Sequence, residues 1–174
     1  MKIAIYTEDK YGIKFLKKVV NRLISEGYIY EKIEYQKLYE PAHIRKCHNV
    51  KKVKAVIREV DRVLIVIDKE NSDSYDENKE IWRHLKDLKD EDRAKITVIA
   101  TEPCIEEWIC ISLGLSFDKT GRNLERKPDR VLKDELNYKK SRLHEYTSQL
   151  DFKKLKTESN SFSFRKFISG LGGI

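Results

Sequence analysis

The chain alternates between short apolar runs and longer segments with helical spacing. Lys2–Thr7 contains Ile3, Ala4, Ile5 and Tyr6 in succession, too short for a helix, and predicts a buried strand. Ile13, Leu16, Val19, Val20, Leu23 and Ile24 then recur on one helical face with lysines and an arginine between them. Glu26-Gly27 closes that helix, with Gly27 at the position where a left-handed cap is favoured. A weaker strand is expected over Lys32–Gln36, an irregular connection over 37–48, and a second helix over Val50–Val60. Arg62–Ile67 holds the unbroken run Val63-Leu64-Ile65-Val66-Ile67, as in a parallel strand buried on both faces. A third helix is expected with Ile81, Trp82, Leu85 and Leu88 inward, then a fourth strand over Lys95–Ala100. Pro103 is expected to open a helix that runs through Leu113.

Strands alternating with helices imply α/β architecture, a mainly parallel four-stranded sheet flanked by helices. After Gly114 the composition changes. A charged loop covers Phe117–Pro128, and one or two helices follow with a break near Lys139. The expected organisation is a core over residues 1–115 and a basic helical extension over 116–174, packed on the core.

Charge sharpens that division. Residues 1–118 carry 22 basic and 22 acidic side chains, and residues 119–174 carry 14 and 7, so the whole net charge of +7 lies in the last third. A basic region on a neutral body suits a polyanionic partner, nucleic acid foremost, although lysine-rich surfaces also serve solubility alone. No apolar run approaches the length of a membrane span. The N-terminus runs directly into Glu8 and Asp9, unlike a signal or transit peptide. Three cysteines without a Cys-x-x-Cys pair suit a reducing cytoplasm.

In an open parallel sheet, ligands bind beyond the carboxyl ends of the strands. Those ends carry Thr7-Glu8-Asp9, Asp68-Lys69-Glu70 and Thr101-Glu102. Clustered carboxylates repel unless a cation lies among them, and an all-oxygen set favours Mg²⁺ or Mn²⁺ over zinc. The competing explanation is that acids favour helix N-termini. It accounts for Asp9, Glu106 and Glu107 better than for Glu8 and Asp68. Glycine-rich phosphate loops and the His-Glu-x-x-His and Gly-x-Ser-x-Gly motifs are absent. His43, Cys47 and His48 form a weak metal-ligand spacing, His84 is expected to serve packing or the surface, and Cys104 and Cys110 are expected as small buried helix residues.

A Glu after the first strand and an acidic pair flanking one residue after the third resembles the Toprim superfamily of topoisomerases, primases and OLD-family nucleases. The likeness is nearest to small stand-alone proteins of the RloB type, found in mobile-element and defence contexts. Pro103-Cys104-Ile105-Glu106-Glu107-Trp108 is similar to a helix start of that group, and Ser161-Phe162-Ser163-Phe164-Arg165-Lys166-Phe167 to the C-terminal ending of some members. By position, Glu8 matches the first-strand Glu, Asp68 and Glu70 the acidic pair, and Glu106 the helix Glu. Two departures stand out. Glu70 replaces Asp, and Gly12 stands where a further acid is often found.

The resemblance implies Mg²⁺- or Mn²⁺-dependent phosphodiester hydrolysis on DNA or RNA, a nuclease activity. Glu8, Asp68 and Glu70 would hold the metal, with Glu8 alternatively the general base. Glu106 would complete a second metal site or orient the water. Lys10 and Lys69 lie beside the acids, placed to meet a phosphate or simply solvated. Lys119, Arg122, Arg126, Lys127 and Arg130 would follow the nucleic-acid backbone. The alternatives are a non-catalytic Toprim-like module that binds nucleic acid or protein, and an enzyme acting on a small nucleotide.

Overall fold

The structure is a computed structural model that describes residues 1–30, 32–39, 47–69, 79, 81–157 and 161–173, with the backbone alone at 34–39 and 47–51. The elements are β1 (Lys2–Tyr6), α1 (Lys10–Ser25), β2 (Glu34–Tyr39), α2 (Cys47–Val56), β3 (Arg62–Asp68), α3 (Asp90–Ala94), β4 (Ile96–Thr101) and α4 (Glu107–Leu113). The last third adds a 3-10 turn at Leu124–Arg126, α5 (Pro128–Leu136), a 3-10 helix over Lys140–Gln149, α6 (Phe152–Thr157) and α7 (Phe162–Gly170). No described helix is long and apolar enough to cross a membrane.

All strand pairs are parallel, in the order β2-β1-β3-β4. The chain leaves β1 for one neighbour, β2, and later builds β3 on its other side. The strand order therefore reverses between β1 and β3, and their carboxyl ends flank the crevice where such sheets bind ligands.

Side chains alternate across the sheet and divide the core in two. Ile3 and Ile5 of β1, Leu64 and Val66 of β3, and Ile99 of β4 face α1, Trp108 and the aromatic residues of the last third. Ala4, Tyr6, Val63, Ile65, Ile67, Ile96 and Val98 face Val53, Val56 and Ile57, together with Ile81 and Leu85. The inner stripe expected around Ile81 is thus in place, and Trp82 and Leu88 pack against it. Gly27 has φ 77°, and the backbone N–H groups of Tyr28 and Ile29 return to the Leu23 carbonyl, which ends α1 as its sequence suggests.

The last third belongs to the first core. Trp108 is fully buried, with its ring 5.0 Å from Phe164 and 5.5 Å from Phe167. Arg22 of α1 donates to the Thr147 and Leu150 carbonyls and lies 4.3 Å over the Phe152 ring. Arg62 donates to the carbonyls of Ser169 and Gly170 at the end of α7.

Several boundaries differ from expectation. β2 covers Glu34–Tyr39 where Lys32–Gln36 was expected, α2 covers Cys47–Val56 where Val50–Val60 was expected, and the short α3 was not expected. Pro103 does not open a helix: residues 102–106 form turns, and α4 begins at Glu107. The Ile105 N–H in this turn donates to the Asp68 side chain. The break near Lys139 is real. Asn137 takes a left-handed conformation (φ 52°), and α5 gives way to extended Lys139 before the 3-10 helix.

Candidate active site

Two acidic side chains converge over the β1/β3 junction. Glu8 follows β1 by two residues, and its Oε2 accepts a 3.4 Å hydrogen bond from the Asp68 backbone N–H. Asp68 ends β3 with its side chain 14% exposed. Its Oδ1 accepts from the Thr101 hydroxyl at 2.9 Å and from the Ile105 N–H at 3.0 Å, so β4 and the following turn fix its orientation.

Asp9 joins them, although its position suggested only a helix cap. Its Oδ1 does cap α1, accepting from the N–H groups of Tyr11 and Gly12 at 2.8 Å. Its Oδ2 lies 3.1 Å from the Lys140 ammonium. Gly12 packs under this corner: a Cβ there would meet the Thr7 hydroxyl at 3.2 Å, which leaves no room for an acidic side chain without displacing Thr7.

Glu106 completes the cluster from the turn before α4. It is fully buried; Oε1 accepts from the Tyr138 hydroxyl at 2.7 Å and lies 3.8 Å from Lys140, whereas Oε2 has no hydrogen-bond partner among the described residues. Lys140 is also 3.8 Å from Asp68, so one ammonium reaches carboxylates from three elements. The cleft has two small lobes, which share Asp68 and Lys140 in their walls. One, of about 20 Å³, lies among Thr7, Glu8, Asp9, Asp68 and Lys140. The other, of about 60 Å³, lies among Asp68, Cys104, Glu106, Lys127, Asp129 and Lys140.

The crowding of acids shows in their proton affinities. Burial, then the neighbouring Glu106 and Glu8, pushes the Asp68 carboxyl up to about 8, against the pull of Lys140 and Thr101. Burial opposes the charge on Lys140, but Glu106, Asp68 and Asp9 outweigh it and hold the ammonium above its ordinary range. Tyr138 is pushed up by burial and Glu106, so it remains a donor. Burial raises the thiol of Cys104 and takes that of Cys110 to about 12, and both behave as inert buried side chains. Cys110 lies in α4 as expected, but Cys104 lies in the preceding turn.

The other sequence candidates fall as follows. Glu70 and His43 lie outside the described residues, and Cys47 and His48 begin α2 with only their backbone described. Lys69 pairs with Glu102 at 3.5 Å. Lys10 is exposed at the start of α1, 5.2 Å from the Tyr11 ring. Lys127 lines the second lobe. Lys119 is half-buried and Arg122 exposed; Arg126 donates to Ser116, and Arg130 pairs with Asp134 at 3.7 Å. Lys140, Tyr138 and Asp129 were not among the candidates. They come from the last third, where neither the basic charge, nor the break near Lys139, nor the Ser161–Phe167 ending singled them out.

Among the described residues, no group of three or more His, Cys, Asp or Glu side chains is gathered closely enough to hold a metal ion. The donor chemistry of the cleft nonetheless fits a hard divalent cation. Its donors are carboxylate oxygens, and one of them, Glu106 Oε2, is buried without a partner among the described residues. Compared with protein-family models, curated proteins and solved structures, the chain matches none.

Proposed function

We propose that this chain carries out divalent-cation-dependent phosphodiester hydrolysis on nucleic acid, as a Toprim-type nuclease, in the cleft over β1 and β3. The observation that supports this reading above others is the meeting of Glu8 and Asp68 across the strand junction. In this reading Glu8 and Asp68 hold Mg²⁺ or Mn²⁺, joined by Glu70, with Glu106 as a further donor. When bound, the ion supplies charge stabilisation for an in-line displacement at phosphorus.

The remaining work falls to the chain's own side chains. Thr101 and the Ile105 N–H hold Asp68 in one orientation. Glu8, half-buried beside the first lobe, is alternatively the general base that takes the proton of the attacking water in place of holding the ion. Lys127 and Lys140 line the cleft and offer positive charge to a phosphate. Lys10, Lys69, Lys119, Arg122, Arg126 and Arg130 follow the polymer outside it, with contacts that position the strand without reading bases. The unpaired thiols Cys104 and Cys110 suit a cytoplasmic setting.

A second reading, a non-catalytic Toprim-like binding module, draws on one observation. Lys140 already partners Asp9, Asp68 and Glu106. Labelled single- and double-stranded DNA and RNA, incubated with the protein in Mg²⁺, Mn²⁺ or EDTA, separate the two. Cleavage with either ion and none in EDTA is expected. Binding without cleavage on every substrate favours the module.

A further inference from the structure

We infer that Lys140 is a displaceable resident cation: its ammonium and a divalent ion exclude one another at Asp68 and Glu106. Entry of the ion then releases Lys140 toward the open side of the cleft, where substrate phosphate would lie. This rests on the metal reading above and adds to it a coupling between cation binding and substrate binding.

Three observations carry it. The first is position. Asp9, Asp68 and Glu106 come from the start of α1, the end of β3 and the turn before α4, and the Lys140 ammonium lies 3.1, 3.8 and 3.8 Å from their oxygens. A divalent ion bound by the Asp68 and Glu106 oxygens sits at about 2.0–2.6 Å from them. It would crowd the ammonium that lies 3.8 Å from each, and two cations at that spacing repel.

The second is unused capacity. Glu106 is fully buried, its Oε2 has no hydrogen-bond partner among the described residues, and it lines the same lobe as Lys140. An ammonium 3.8 Å from Oε1 leaves that lone pair unanswered. An ion coordinated by Glu106 would answer it.

The third is freedom to leave. Lys140 is the first residue of its 3-10 helix, after an extended Lys139, and its side chain is 42% exposed. Four rotatable bonds let the ammonium turn outward without moving the backbone that carries Tyr138.

Binding of Mn²⁺ to the full chain, followed by the electron paramagnetic resonance signal of free Mn²⁺, tests this without any substrate. Lys140→Met is expected to bind Mn²⁺ at least tenfold more tightly than wild type. Lys140→Arg, which keeps the charge, is expected to stay within about threefold of wild type. The Mn²⁺-induced rise in Tm is expected to be larger for Lys140→Met, and Lys140→Gln replaces that variant if it does not fold. Binding by the methionine variant no tighter than wild type, or binding by the arginine variant as tight as that of a tightened methionine variant, overturns the inference while leaving the metal reading in place. Absence of Mn²⁺ binding in all the proteins removes the metal reading, and this inference with it.

Discussion

Glu106 and Glu107 are adjacent, yet they face different worlds. Glu106 turns to the cleft, whereas Glu107 turns inward. Glu107 Oε1 accepts from the Glu102 N–H at 3.0 Å and from the Ser163 hydroxyl, which itself accepts from the Trp108 indole at 2.8 Å. Burial pushes the Glu107 carboxyl from 4.5 up to about 8, partly offset by those hydrogen bonds. A carboxyl with a raised folded-state pKa makes the folded chain bind more protons than the unfolded one. Stability therefore falls as pH rises from about 4.5 to about 8, where Asp68 acts with the same sign. Glu107→Gln keeps an acceptor and stays neutral. Urea unfolding at pH 5 and pH 8 should show the variant losing clearly less stability over this interval than wild type, and equal losses would refute the assignment. Glu8 and Asp68 were legible in the sequence because acids at strand ends stand out against apolar runs, whereas Glu106 was singled out only by the resemblance of the segment Pro103–Trp108 to a known helix start. Lys140 was not. A lysine in a lysine-rich tail carries no local signal, and only the fold returns it to β3.

At the scale of elements, β1, β3 and β4 were readable because short apolar and β-branched runs have few other uses, and α1 because its apolar stripe and Gly27 agree, whereas β2 (Glu34–Tyr39) holds no β-branched residue and was expected at Lys32–Gln36. The helix over Lys140–Gln149 was readable, but not its 3-10 type: the buried residues Leu143, Tyr146, Thr147 and Leu150 fall at helical spacing, which does not tell a 3-10 helix from an α-helix. The Ser161–Phe167 segment, noticed as a family-like ending, has a packing role. It seats Phe164 and Phe167 on Trp108 and supplies Ser163 to Glu107. Close approach of α7 to the sheet depends on Gly170, where a Cβ would lie 2.7 Å from Leu64 Cδ2. Leu64 is fully buried and cannot withdraw cheaply. Gly170→Ala should cost about 1–2 kcal/mol in chemical denaturation, overpacking outweighing the gain in helix propensity. A neutral or stabilising result would show that α7 has slack against β3.

At the scale of the whole molecule, the net charge of +7 resides in residues 119–174, and that same third closes the first core and delivers Lys140 to the acidic cleft. Replacing Arg122, Arg126 and Lys127 together by Ala should flatten the slope of log K against log salt on duplex by about two to three, since each lost phosphate contact removes roughly 0.9. An unchanged slope would mean that these side chains serve solubility alone. Division of the sheet into two cores followed directly from alternating strand residues, whereas the meeting of both chain regions at one cleft depended on tertiary contacts that no local pattern encodes. The central claim is tested most directly by comparing wild type with Asp68→Asn on one labelled substrate in Mn²⁺, with binding measured alongside. Asparagine keeps an acceptor for Thr101 and Ile105 but removes the charge. Cleavage should fall at least a hundredfold while nucleic-acid affinity stays equal or tightens; cleavage persisting in Asp68→Asn would place the chemistry elsewhere.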